Sequence, residues 1–105
     1  MALKNTAILT SNTIIYTSAG NNAISTVIVC NTTAGALDLT LYAVAANGVS
    51  VGTPADTNMI VKTLSVPPGD TVSFDQEKFV LADNDTLVAI ASGTGLSATV
   101  STLSV

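Results

Sequence analysis

The chain has 105 residues, with three lysines, no arginine, no histidine and seven acids, for a formal net charge of −4. That length fits one domain able to bury its own core, and a single cysteine, Cys30, excludes an intramolecular disulfide. An acidic surface without arginine disfavours nucleic acid as a partner, and no apolar run approaches the roughly 18 residues of a membrane helix.

The opening "MALKNTAILTS" has no long apolar region and no cleavage pattern. Residues 1–11 are expected to form an N-terminal arm, with the domain proper spanning 12–105. "NTIIYT" predicts a strand around Ile14 to Thr17, closed by a turn over Ala19 to Asn22. "AISTVIVCN" predicts a central strand with Ile24, Ile28 and Cys30 on one face and Val27 and Val29 on the other. Cys30 in that setting is expected to be a buried, unreactive small hydrophobe, since no basic neighbour would activate it.

In "ALDLTLYAV", Leu37, Leu39 and Leu41 share one face while Asp38, Thr40 and Tyr42 share the other. A helix would scatter those leucines around its girth; the period of two is that of a half-buried strand. Asn47-Gly48 suits a tight reversal with positive φ. Val49 to Asn58 is the least patterned stretch, and Pro54 argues against a central strand there. Ile60, Leu64 and Val66 then alternate with Val61, Thr63 and Ser65 as another strand, ended by "PPGD".

Val72 and Phe74 form a short inward pair before the dense charge cluster "DQEK". "ADNDT" reads as an Asx-type turn, Leu87 to Ala91 as a strand, and "SGTG" as the turn into the last strand, Leu96 to Val105. In that last strand the apolar phase slips between Val100 and Leu103, and a β-bulge near Ser101 would account for it. "PPGDTV" and "ADNDTL" resemble each other, as two equivalent turns at one end of the molecule would. The chain is therefore expected to be all-β: a single-domain β-sandwich of about seven or eight antiparallel strands, Ig-like or jelly-roll-like.

Without histidine or arginine, the commonest general base and a common anion clamp are missing. Paired carboxylates for glycosidase chemistry would have to come from Asp70, Asp75, Glu77, Asp83 and Asp85, most of them beside turns, where aspartate caps its own backbone. Asp83 and Asp85 match only the opening of a calcium loop; the glycine and closing glutamate are absent at the required spacing. Asn31-Thr32-Thr33 and Asn84-Asp85-Thr86 match the N-glycosylation pattern formally and read as turn residues. No catalytic residue, cofactor or metal site is assigned.

Three phrases in order, "IIYTSAGNNAISTVIVCNTTAGALDLTLYAV", "LSVPPGDTVSF" and "KFVLADNDTLVAIASGTGLSATVSTLSV", resemble small all-β structural proteins of tailed bacteriophages. The resemblance rests on Tyr16-Thr17 before Ala19-Gly20, Val27 to Asn31, Pro67-Pro68-Gly69, Val80-Leu81 with Asp85-Thr86-Leu87, and Gly93 with Gly95. Asn84 stands where that family places glycine. The resemblance implies a virion protein, either a capsid decoration or cement protein or a tail or neck accessory.

Charged residues make up only 10% of the chain, against roughly 25% in an ordinary domain. So bland an exterior suits packing against copies of itself or a larger assembly, and equally a small soluble domain with a polar, uncharged face. The resemblance implies that the assembly includes a major capsid or tail protein. The expected function is a non-enzymatic virion structural protein, most simply capsid decoration. The alternative is a receptor- or glycan-binding module on a tail fibre or baseplate, which would want exposed aromatics. Partner contacts are expected at Ala2, Leu3, Lys4 and Asn5 of the arm and at Val51, Thr53, Pro54 and Asp56 of the loop, since neither segment is needed to complete the strand pattern.

Overall fold

A computed structural model describes residues 2–47, 52–74 and 79–104. They form nine strands: β1 (Ala2–Ile8), β2 (Thr13–Thr17), β3 (Asn22–Asn31), β4 (Leu37–Val44), β5 (Met59–Val66), β6 (Thr71–Phe74), β7 (Phe79–Leu81), β8 (Thr86–Ala91) and β9 (Leu96–Ser104). The only helical element among the described residues is a 3-10 turn, Asp56–Asn58. All pairings are antiparallel. Sheet I runs β1-β9-β3-β6, with β7 on the same side of β3 as β6; sheet II runs β2-β8-β4-β5.

The two sheets bury one core between them. Ile24, Val27 and Val29 of β3 and Leu96, Ala98 and Val100 of β9 supply sheet I's side; Leu39 and Leu41 of β4 and Leu87, Ala89 and Ala91 of β8 supply sheet II's. The period of two in β4 is realised as expected, with Leu37 half-buried at the start of its row. Val72 and Phe74 also pack against the core.

Residues 2–8, set apart above as an arm, pair with β9 along their whole length, from Ala2 opposite Thr102 to Ile8 opposite Leu96. Ile8 is fully buried. This strand, and the division of one strand position between β6 and β7, bring the count to nine rather than seven or eight.

Register shifts in β3, β5 and β2 move side chains between faces. In β3, Ile24 pairs with Thr102 and Thr26 with Ser101, so Ser25 is the extra residue. Its hydroxyl reaches the Ser101 carbonyl at 3.1 Å. The slip expected at Ser101 therefore lies in the partner strand directly opposite. β9 itself keeps its phase: Thr102 continues the inward row and Leu103 faces out. Because of the bulge, Ile24 joins Val27 and Val29 inside, while Ile28 is exposed and Cys30 only half-buried on the outer side. The buried Cys30 expected from its apolar neighbours is corrected accordingly.

In β5, Leu64 pairs with Leu39 and Val61 with Leu41, leaving Lys62 and Thr63 against Thr40. Val61, opposite Leu41, packs against the core; Leu64, opposite Leu39, keeps the same side of the strand as Val66 but is exposed, and Ile60 falls outside that row. In β2, Ile15 is the extra residue opposite β8, and it is buried.

The two similar turns have the same geometry. Asp70 donates its amide to the Pro67 carbonyl and Asp85 to that of Ala82, each at 3.1 Å. Gly69 and Asn84 occupy the third position at φ 70° and 68°, where glycine is free of strain and asparagine tolerates it. Their locations differ, however. The Asp70 carbonyl receives the Asn31 amide at the C-terminal end of β3, and the Asp85 carbonyl receives the Ser18 amide near its N-terminal end. They lie at opposite ends of the sandwich, not at one.

Candidate interaction surfaces

Both groups of expected contact residues can be located except Val51, which lies outside the described residues together with Gly48 of the Asn47-Gly48 reversal. Ala2, Leu3, Lys4 and Asn5 belong to β1, an edge strand of sheet I that lies against β2. Thr53, Pro54 and Asp56 belong to the segment leading into β5, the far edge of sheet II. The fold brings the two groups to different edges, so they do not form one site.

The second group follows a segment packed onto sheet II. Gly52 lies so close to Val44 and the Ala45 carbonyl that a Cβ there would overlap both. Asn58 pins the turn: its Oδ1 accepts the Ala55 amide at 2.8 Å and its Nδ2 donates to the Thr53 carbonyl at 3.0 Å. Between this segment and the ends of β4 and β5 is a recess of about 720 Å³. The described residues bordering it include no ionisable side chain; Asn47, Thr53, Thr57 and Asn58 are its polar members. The described lining can hold a neutral group by shape and offers no side chain with which to move a proton.

The acidic residues of the turns hold backbone. Asp85 Oδ1 accepts the Ala46 amide at 2.7 Å and Oδ2 the Ala82 amide at 2.9 Å. Asp83 Oδ1 accepts the Gly20 amide at 2.9 Å. Asp70 is at the other end of β3, so the fold separates it from Asp83 and Asp85; Asp75 and Glu77 lie outside the described residues. Among the described residues, no group of three or more Cys, Asp or Glu side chains could hold a metal ion. Buried Asn31 donates from Nδ2 to the Gly35 and Val66 carbonyls and accepts the Thr33 amide. Its amide is therefore committed inside the fold, which is incompatible with a glycan there.

Compared with protein-family models, with curated proteins and with solved structures, the chain matches none. What its described surfaces offer a partner therefore bears directly on function.

Those surfaces differ. Tyr16 and Phe74 pack against the core and Tyr42 is half-buried in β4, so none of these three aromatics stands exposed as a stacking platform. The outer side of sheet II carries Asp38 and is partly covered by the Gly52 segment. The outer side of sheet I is different: its described residues are Ser, Thr, Asn, Ala, Cys and aliphatics, with no charge among them. Lys4 pairs with buried Val100 and so falls on the other side of β1.

Sequence reasoning missed this face. Leu103 reads as an apolar member of the row that continues past a bulge, yet it is 50% exposed, and Val80, which the pattern assigns to neither face, is 69% exposed. The available signal was that Leu103 is out of phase with Leu96, Ala98 and Val100.

Proposed function

We propose that this chain is a non-enzymatic virion structural protein, a capsid decoration or cement protein built on a jelly roll. The strand pairings nest: β1 with β9, β2 with β8, β3 with β6 and β7, β4 with β5. Rolling that nested ribbon into two sheets places β9 beside β3 and β8 beside β4, the strand order found here. Nested pairing of eight strand positions, β6 and β7 sharing one, is jelly-roll connectivity, a scaffold used in viral capsid and lectin domains.

Fold alone does not assign function. The observation that carries this reading is the outer face of sheet I, which is uncharged among its described residues and exposes Val80 and Leu103. Exposed apolar surface free of charge is what a subunit packed into an assembly presents. The turn phrases that resemble phage structural proteins supply the kind of assembly: copies of this chain and a major capsid or tail protein, without nucleic acid or membrane.

The test is electron microscopy of the purified particle, with this chain located in density and its copies counted. Hundreds of copies on the head are expected. A handful at the tail would move the assignment to attachment or tail structure, and absence from the particle would overturn it.

A further inference from the structure

We infer that the outer face of sheet I is the surface on which two copies of this chain pair, face to face about a two-fold axis. The inference rests on the assembly reading above and names its partner and contact.

The apolar part of the face is a row in register across three strands. Val80 of β7 is opposite Ala23 of β3, and Ala23 is opposite Leu103 of β9. Leu3 of β1 pairs with Ser101, two residues from Leu103 along β9, a diagonal that aliphatic side chains can span. Val80, Leu103 and Leu3 are each at least half exposed. Beside this row the face is hydroxyl-rich: Ser97, Thr99 and Ser101 of β9, Thr26 of β3, Thr71 and Ser73 of β6.

Three physical arguments favour a second copy as the occupant. A hydroxyl both donates and accepts, so a Ser/Thr face is complementary to itself, as a carboxylate or ammonium face is not. The chain carries a net charge of −4, and the described residues of this face let two copies meet without bringing like charges together. Area also fits. Four strand positions about 4.8 Å apart, over roughly seven residues each, span about 450 Å² in projection. Side chains standing off the pleat raise the accessible area toward the roughly 800 Å² per partner of a standard interface. One patch meeting its own copy is an isologous contact, which closes at two.

Sedimentation and light scattering of the full chain, with Val80→Asp and Leu103→Asp made separately, test this. Ile14→Asp is the control, an exposed aliphatic of β2 in the other sheet. The wild type should be a dimer at about 100 μM, above the micromolar-to-picomolar range of standard-size interfaces. Each sheet I variant places an unpaired charge in both halves of the contact and should weaken it about 100-fold. Circular dichroism of both should stay that of the wild type, since neither residue is in the core, and Ile14→Asp should remain dimeric. A wild-type monomer or trimer, or a dimer indifferent to both substitutions, overturns the inference. A monomer found on the particle overturns the pairing and leaves the virion assignment standing; a dimer missing from particles does the reverse.

Discussion

The carboxylate of Asp85 accepts the backbone amide of Ala46 at 2.7 Å, tying the turn before β8 to the chain leaving β4. Its second oxygen accepts the Ala82 amide across the turn. Both oxygens serve amide donors, so the residue explains its own position without an ion. Asp85→Asn would turn an NH2 group toward one of those N–H groups. It should cost about 1–3 kcal/mol, read as a lower urea midpoint. The wild-type melting temperature should not change between chelator and millimolar calcium; a rise with calcium would restore the ion-binding reading.

Asn31 does comparable work at the other end of β3. Removing its side chain takes a donor from the buried Val66 carbonyl and the acceptor from the half-buried Thr33 amide, while the exposed Gly35 carbonyl keeps the Thr33 hydroxyl. Asn31→Ala should therefore lose about 1–3 kcal/mol, chiefly because the buried Val66 carbonyl loses its side-chain donor. Chemical denaturation measures this, and a loss below 1 kcal/mol would mean that water replaces the amide.

Much of the fold is legible where local patterning and tertiary demand agree. Leu37, Leu39 and Leu41 keep a strict period of two, and "PPGD" and "ADND" carry the residues their turns require. Legibility ends at the bulges. Ile24 and Val27 are three residues apart and share a face only because Ser25 is inserted against β9. Nothing in "AISTVIV" marks the insertion. Residues 2–8 lack a dense β-branched run, and their strand forms because β9 offers its free edge, a tertiary effect invisible in the segment itself. The interaction face suffered from the same ambiguity: an apolar residue in a strand reads as core until the parity of its partners is known.

Thr63 sits at φ 47° in the β5 bulge, a left-handed conformation in which a β-branched side chain is strained by about 1–2 kcal/mol. Its amide donates to the Thr40 hydroxyl at 3.2 Å, a bond that any non-proline residue can make. Thr63→Gly keeps that bond and relieves the side-chain strain, offset by the greater backbone freedom of glycine when unfolded. A net gain of about 0.5–1 kcal/mol is expected, seen as a melting temperature a few degrees higher. A lower melting temperature would show that the threonine side chain contributes more to the bulge than its conformation costs.

β1 provides the sharpest contrast between neighbours on one strand. Ile8 is 1% exposed and part of the core, while Leu3 is 70% exposed on the outer face of sheet I. Ile8→Ala should cost about 2–5 kcal/mol through lost burial and the cavity left behind. Leu3→Ser should leave stability within about 0.5 kcal/mol, as surface changes do, yet should weaken self-association because it removes part of the apolar row. Deleting residues 2–8 exposes the inner edge of β9, so the truncated chain should unfold at lower urea and aggregate more readily. Equal urea midpoints for the truncated and full-length chains would show that β1 is dispensable to the sandwich, and would return residues 2–8 to the status of an arm.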